Sequence, residues 1–143
     1  MINEFIAEVC KLLGIQIPTI SYDTTHFPTK TTMAVSAPAS NTIYLKKNNN
    51  PNFDYMFSIA HELRHIFQYQ NDEKFYFANY KPSDKCDSIE EYNLQIAEVD
   101  ANAFANIIMV EFFQLKPLWN GLTEKVIDSI NTRINIIVQT LNS

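Results

Sequence analysis

The sequence predicts an α+β fold in which a small twisted β-sheet packs with four helices. Short segments rich in β-branched residues lie within the first 47 residues, whereas most of the remaining chain repeats its apolar residues with helical spacing. The chain has 143 residues, of which 46% are hydrophobic, and this is enough apolar material to bury one core. We therefore predict a single domain over residues 1–143.

The N-terminal part of the chain predicts one helix followed by short strands. Residues 3–13 place apolar side chains on one helical face, and Gly14, one of only two glycines, is suited to end this helix. Two or three strands are predicted within residues 15–22, 31–36 and 41–47. The first helix should pack on this sheet.

The next helix is predicted from a polar cap to about Gln70. Asn52 or Asp54 can accept hydrogen bonds from its first free amides, and apolar residues then recur with helical spacing. That spacing is lost over residues 71–87, which contain several aromatic residues and a proline. We predict that residues 71–87 are not helical and form the rim of a cleft.

Two further helices are predicted towards the C-terminus. Ser88 and Glu91 have the spacing of a capping box, so one long helix should begin there and end near Phe113. Residues 123–141 again repeat apolar residues with helical spacing, which predicts a C-terminal helix that closes the core.

The most informative stretch of the chain is an HExxH motif, His61-Glu62-Leu63-Arg64-His65. A random ordering of this composition gives about 0.003 such motifs, so coincidence is a weak explanation. Positions four apart lie on one helical face, so the imidazoles of His61 and His65 can bind one ion. Glu62 can then reach a water molecule at that ion. The competing interpretations are ordinary polar histidines beside a helix, or a metal-free descendant of an enzyme.

A catalytic zinc site usually has three protein ligands, so a third must lie elsewhere. His26 is the only other histidine, but its turn-like surroundings offer no partner at ligand spacing. Glu98 is the better candidate, because it shares a helical face with Asn102, which can support the site. Asp100 is the alternative third ligand, but it lies about 200° around an ideal helix from Glu98, so both acids cannot face one ion without distortion.

Three small residues, Ala97, Ala101 and Ala105, recur at helical spacing beside Glu98. Such a stripe would let this helix approach the HExxH helix closely, as a carboxylate ligand requires. Taken alone, the segment could equally be a buried alanine-rich packing helix whose acids are solvated.

The HExxH motif followed by E-x-D-A-N-A-F-A at residues 98–105 resembles the glutamate-type zincins, or gluzincins, and most of all the ImmA/IrrE-like metallopeptidases. The corresponding pattern in that family is E-x-E-A-N-x-F-A, so Asp100 is a departure from it. The resemblance covers less than a third of the chain. It implies a minimal zincin-like fold, with Glu98 as the third zinc ligand and Glu62 as the general base. It also implies that Asn102 orients a ligating histidine through its free ring nitrogen.

These residues predict a zinc-dependent metallopeptidase that hydrolyses a peptide bond. One Zn²⁺ per chain, held by His61, His65 and Glu98, would lower the pKa of a bound water and polarise the substrate carbonyl. Glu62 would take the proton from that water and return it to the leaving amine.

The developing oxyanion needs a donor besides the metal. Tyr76 and Tyr80 are candidates, and so are Tyr69, Tyr92 and Arg64, because each can donate a hydrogen bond. No spacing rule selects one of them, and aromatic residues near a cleft are more often packing residues.

The composition bears on partners and localisation. The formal net charge is −5, and no basic cluster extends beyond Lys46-Lys47, so nucleic-acid binding is not indicated. No apolar run approaches the roughly 20 residues that span a bilayer, so we expect a cytoplasmic protein that does not contact membrane. Cys10 and Cys86 are then expected to be reduced thiols.

The expected partner is a peptide or protein substrate, and by analogy with the soluble family a regulatory protein is a candidate. The alternative is a catalytically inactive regulatory or protein-interaction module on a metallopeptidase scaffold. In that case zinc is structural or absent, and the aromatic segment 75–80 binds a partner.

Overall fold

The structure is a computed structural model that describes residues 1–141. Within this range it is an α+β arrangement of six α-helices and one three-stranded mixed sheet, which agrees with the predicted class. In chain order the elements are α1 (Ile2–Leu13), β1 (Thr19–Ser21), β2 (Ala34–Ala37), β3 (Thr42–Leu45), α2 (Phe53–Asn71), α3 (Glu73–Ala78), α4 (Ile89–Leu94), α5 (Ile96–Phe113) and α6 (Glu124–Leu141).

The sheet has β3 at its centre and β2 at one edge. β3 pairs in parallel with β1, so that Ile20 lies opposite Ile43, and antiparallel with β2, so that Ser36 lies opposite Ile43. Ile43 and Leu45 are fully buried because the central strand is covered by its neighbours and by helices. β1 and β3 lie within the predicted segments, β2 extends one residue beyond its segment to Ala37, and all three strands are shorter than predicted. One side of β2 is left without a strand partner within residues 1–141.

Helix α2 is the central element of the core. It contacts α1, α3, α5 and the sheet, and its buried residues Ile59, Leu63 and Ile66 belong to one hydrophobic cluster with the apolar faces of α1, α5 and α6. The apolar periodicity that predicted the helix is therefore the face that holds it in the core. Polar residues that lie between those apolar positions face the candidate functional site.

The ends of the first two helices follow the predicted signals. Gly14 adopts the left-handed conformation with φ of 72°, which closes α1 at little steric cost because glycine has no Cβ. Asn52, one of the two predicted caps, accepts a hydrogen bond of 3.0 Å from the amide of Tyr55 at the start of α2.

The prediction that residues 71–87 are not helical was wrong for the first part of that segment, which forms α3. The Asp72 side chain accepts a 3.0 Å hydrogen bond from the amide of Phe75 and caps this short helix. The helix is also held by Tyr76, which is buried. The Asp72 cap and the buried Tyr76 ring together hold this helix of six residues. Six residues are too few to show an apolar periodicity in the sequence, so the helix was missed.

The prediction of one long helix from Ser88 to Phe113 was also wrong, because the chain breaks at Gln95. Ser88 caps α4 as expected, but Gln95 has an extended ψ of 142° between α4 and α5. The Gln95 side chain accepts from the amide of Lys81 at 2.5 Å and donates to its carbonyl at 3.0 Å. This side-chain pairing with a distant backbone competes with helix continuation.

None of the helices described within residues 1–141 combines the length and the apolar character needed to cross a membrane. Cys10 and Cys86 are free thiols, and burial raises the pKa of Cys10 to about 11. Cys10 therefore serves as a small apolar residue of the α1 face.

The close packing of α5 generates the first prediction. Ala101 lies one turn from Glu98 and is fully buried, so Ala101→Leu should overpack this part of the structure. We expect the free energy of unfolding in urea to fall by about 1–3 kcal/mol. Ala78→Leu, which adds the same atoms to an exposed helical position, is the control and should change it by less than about 0.5 kcal/mol. Equal effects of the two changes would contradict this reading of the packing.

Candidate metal centre

The structure brings His61, His65 and Glu98 together from two helices. His61 and His65 project from successive turns of α2, and their Nε2 atoms are 3.2 Å apart. Glu98, in the first turn of α5, places Oε1 3.4 Å from His61 Nε2 and Oε2 2.5 Å from His65 Nε2. One ligand atom from each residue lies within 4.8 Å of the other two, so the cluster could hold a metal ion.

The distances in this cluster suit a tetrahedral ion. Ligand atoms at about 2.0–2.1 Å from a tetrahedral centre are about 3.3 Å apart. The two imidazole nitrogens, and His61 with Glu98, are within 0.2 Å of that spacing, at 3.2 and 3.4 Å. The 2.5 Å contact of His65 with Glu98 is made by the other carboxylate oxygen, Oε2, so the carboxylate must turn before a single oxygen completes the set.

The burial of the Glu98 carboxylate is a second feature of the cluster that suits a cation. Glu98 is only 3% exposed, and its Oε2 accepts no hydrogen bond from any residue in the described part of the chain. Its nearest polar neighbour is His65 Nε2, at 2.5 Å. Since a buried carboxylate oxygen is costly without a partner, a cation at this point would satisfy it.

Both histidine rings are oriented by oxygen acceptors on their outer nitrogens. His61 Nδ1 lies 2.8 Å from Oδ1 of Asn102, and His65 Nδ1 lies 2.8 Å from Oε1 of Gln68. An oxygen partner requires Nδ1 to be the donor, so in the neutral rings both Nε2 lone pairs face Glu98. Asn102 thus occupies the position that the sequence predicted for it, whereas Gln68 was not predicted.

Glu62 is held beside the cluster by the edge strand β2. Its Oε1 accepts hydrogen bonds from the amide and the hydroxyl of Ser36, at 2.9 and 2.7 Å. Its Oε2 lies 3.8 Å from His61 Nε2 and makes no hydrogen bond within residues 1–141. The carboxylate therefore has one anchored oxygen and one oxygen directed at the site.

Asp100 lies away from the cluster, as the helical angle predicts. Its carboxylate accepts hydrogen bonds from Arg64 at 2.7 and 3.0 Å and from Arg133 at 2.8 Å. Arg64 is thereby held on the side of α2 that lines a second cavity of about 900 Å³, not in the cleft that contains Glu62. This position does not suit Arg64 as an oxyanion donor.

Aromatic side chains form one wall of a cleft of about 1040 Å³ that opens onto Glu62 and His65. Its lining includes all four tyrosines singled out in the sequence. The centroids of the Tyr80 and Tyr76 rings lie 5.4 and 5.9 Å from that of His65. Burial raises the pKa of both phenols, so each remains a neutral donor at physiological pH. The tyrosines of the lining are Tyr69, Tyr76, Tyr80 and Tyr92.

His26 is exposed and lies at the opening of this cleft, outside the cluster of potential ligands. Its position agrees with the expectation of a surface histidine. A surface imidazole at the opening can contact whatever enters the cleft without joining the buried site.

Charge interactions within the cluster favour protonated imidazoles and an ionised carboxylate. Burial alone would lower the pKa of His65, but the charge of Glu98 outweighs it and raises the pKa to about 9. The pKa of His61 is raised for the same reason. Burial would raise the pKa of Glu98, and the two facing imidazoles instead lower it. The site therefore attracts positive charge.

Comparison of the sequence with protein-family models finds no match, and searches of the curated proteins and of the solved structures also find none. The resemblance to ImmA/IrrE-like metallopeptidases therefore stays a prediction. The function proposed below depends on the geometry of the site.

Two contributors to the site were not predicted from the sequence. Gln68 lies three residues after His65 on the same helical face, and this spacing could have indicated contact between them. Ser36 reaches Glu62 from a strand that precedes it by 26 residues, and no sequence signal marks that contact.

The electrostatics of the site predict how zinc affinity depends on pH. His65, with a pKa of about 9, carries a proton at neutral pH that must leave before Nε2 can bind a metal. Since this raised pKa keeps the proton bound at all lower pH values, affinity should rise about tenfold per unit as pH increases towards 9. Competition with a coloured chelator at several pH values would measure this. An affinity that is constant from about pH 6 to pH 8 would contradict the prediction.

Proposed function

We propose that the protein is a zinc-dependent metallopeptidase with a zincin-like catalytic domain of the ImmA/IrrE type. The observation that supports this most directly is the convergence of two imidazole nitrogens and a buried carboxylate, with Glu62 anchored beside them. The order of these residues along the chain, two histidines followed by a glutamate, resembles that of a glutamate-type zincin. The small sheet beside the HExxH helix is consistent with that fold.

The donor set favours zinc over other common ions. Two imidazoles and one carboxylate are typical of catalytic zinc sites, in which a fourth position stays open for water or substrate. Calcium and magnesium prefer oxygen ligands, and an Fe–S cluster is usually held by thiolates. Neither cysteine belongs to the cluster of His61, His65 and Glu98 within the described residues. We propose one Zn²⁺ per chain.

When bound, zinc supplies a Lewis acid that polarises a carbonyl group and makes water more acidic. Glu62 has the position of the general base. Its Oε1 is fixed by Ser36, so Oε2 stays directed at the site, where it can accept a proton from the attacking water. The same oxygen can then deliver this proton to the nitrogen of the leaving amine, as amide hydrolysis requires.

Tyr80 is the best-placed donor for the oxyanion. Of the tyrosine rings in contact with His65 its ring is the nearer, and the ring of Tyr92 packs against it with centroids 6.2 Å apart. Tyr76 stacks on Tyr80, with ring centroids 5.4 Å apart, and is more deeply buried. We infer that Tyr92 orients the Tyr80 hydroxyl and that Tyr76 supports its ring.

The cleft has the form expected of a peptide site. The edge strand β2 borders it, and the amide of Ser36 points out of the sheet towards Glu62. By the alternation of an antiparallel pair, the carbonyl of Ser36 and the backbone of Ala34 face the same way. An extended peptide can add to such an edge through backbone hydrogen bonds. We propose an extended peptide segment of a protein, such as a regulatory protein, as the substrate.

The zinc assignment predicts metal content directly. Protein purified from zinc-replete medium should contain close to one zinc per chain by elemental analysis. His65→Ala should lose it, because two of three ligands cannot hold the ion tightly. His26→Ala is the matched control and should retain it, since His26 lies outside the cluster. Zinc-free wild-type protein would end the proposal.

The role of Glu62 predicts a separation of binding from catalysis. Glu62→Gln keeps the size and the hydrogen bond acceptor for Ser36 but removes the base, so zinc content should be unchanged. Peptide hydrolysis should fall by about 100- to 10,000-fold, the usual contribution of a general base. Cleavage of a quenched fluorescent peptide mixture would measure this. Unchanged hydrolysis would exclude Glu62 as the base.

The role of Tyr80 predicts an effect on kcat. Tyr80→Phe removes one hydroxyl and should lower kcat by about 100-fold or more with little change in KM, because the donor acts on the transition state. Tyr69→Phe is the control, because Tyr69 lines the same cleft but its ring contacts Tyr76 and Phe77 rather than His65. Equal kcat values for the two variants would exclude Tyr80 as the donor.

A further inference from the structure

Asp100 is a buried carboxylate with four hydrogen bonds, although it is no part of the metal cluster. It is 5% exposed, and Arg64 from α2 and Arg133 from α6 both donate to it. Burying a carboxylate beside the guanidinium group of Arg64 is costly, and a packed apolar cluster of similar size would often be as stable. Stability alone therefore does not account for Asp100 in this position.

The fourth donor to Asp100 connects it to the metal cluster. Gln68 donates from Nε2 to Oδ2 of Asp100 at 2.8 Å and to the carbonyl of Ala97 at 2.9 Å. Its other amide atom, Oε1, faces Nδ1 of His65 at 2.8 Å. An unbroken series of contacts thus runs from α6 through Arg133, Asp100 and Gln68 to His65.

The two acceptors decide which way the Gln68 amide points. Ala97 and Asp100 both offer oxygen, so the NH₂ group must face them and the carbonyl oxygen must face His65. If the amide turned over, its NH₂ group would face His65 Nδ1 and favour the ring form that carries hydrogen on Nε2. That form has no lone pair to offer at the cluster.

We propose that Gln68 and Asp100 are positioning residues of the metal centre. Asp100 fixes the Gln68 amide, and Gln68 keeps His65 Nδ1 as a hydrogen bond donor, so that Nε2 is free to bind the ion. Arg64 and Arg133 hold the Asp100 carboxylate in place and balance its charge. Through this series the C-terminal helix α6 acts on a ligand that it does not touch. The inference rests on the zinc site proposed above.

The first test measures Zn²⁺ affinity of the full-length protein by competition with a chelator. Gln68→Leu keeps a similar volume but removes the acceptor for His65, so affinity should fall by about 10- to 100-fold, the usual effect of losing such a partner. Gln70→Leu is the matched control on the same helix; its side chain reaches Asn41 instead, and affinity should not change. Equal affinities for Gln68→Leu and wild type would overturn the inference.

The second test asks whether Asp100 acts through Gln68. Asp100→Asn leaves one oxygen for donors from three side chains, so the Gln68 amide should lose its fixed orientation. This change alone should weaken zinc affinity by about tenfold or more, yet add nothing in the Gln68→Leu background. Independent, additive losses in this double-mutant cycle would overturn the proposed route from Asp100 to His65.

If Asp100→Asn does not fold, a substitution of its partly exposed partner Arg133 tests the same link. Arg133 is on α6 with its side chain 38% exposed, so Arg133→Met should be tolerated and should weaken zinc affinity several-fold. Lys125→Met removes one positive charge from the same helix without contact to Asp100, and it controls for long-range charge effects. Equal affinities for these two variants would overturn the proposed link from α6.

A spectroscopic measurement separates positioning from general stability. Nitrogen chemical shifts of the imidazole rings distinguish hydrogen on Nδ1 from hydrogen on Nε2. Without metal and at a pH above 9, the wild type should have hydrogen on Nδ1 of His65, and Gln68→Leu should have a mixed population. A purely structural role would lower the free energy of unfolding and leave this signature unchanged. Wild-type protein without zinc affinity would instead disprove the proposed function.

Discussion

The contact between α2 and α5 is the constraint on which the site depends. The imidazoles come from one helix and the carboxylate from the other, and neither helix alone brings more than two ligands together. Because the residues Ala97, Ala101 and Ala105 are all buried and small, the backbone of α5 can approach α2 closely enough for a short acidic side chain to reach. The same approach brings Asn102 to His61 and Asp100 to Arg64 and Gln68. The interface between α2 and α5 therefore both stabilises the fold and assembles the candidate metal centre.

Features of the site that depend on helical spacing were predictable. The interval between His61 and His65 predicts a shared face, and the angle between Glu98 and Asp100 predicts that only one acid can join them; the structure has both arrangements. Helix ends with a local signal, such as Gly14 and Asn52, were predictable for the same reason, since cap and helix are adjacent in sequence. The α+β class followed from the contrast between short β-branched segments and long periodic ones.

Features that depend on distant partners were not predictable. The break at Gln95 is made by hydrogen bonds to Lys81, 14 residues away. The apolar spacing of α4 and α5 reads as one helix, so the sequence pattern does not reveal this break. The contact of Ser36 with Glu62 depends on the register of β2, which no local pattern specifies. The contact of Asp100 with Arg133 was not predictable either, because Arg133 lies on another helix, 33 residues further along the chain.

If the buried Glu98 carboxylate holds a zinc ion with the two histidines, as proposed, it also affects how long the protein persists in a cell. A ligand that binds only the folded form stabilises it by mass action, by about 2.7 kcal/mol at a hundredfold excess over its dissociation constant. Chains synthesised during metal starvation would lack this contribution and spend more time unfolded, where proteases and chaperones act. Abundance of the protein would then follow the supply of the ion, without any dedicated regulator.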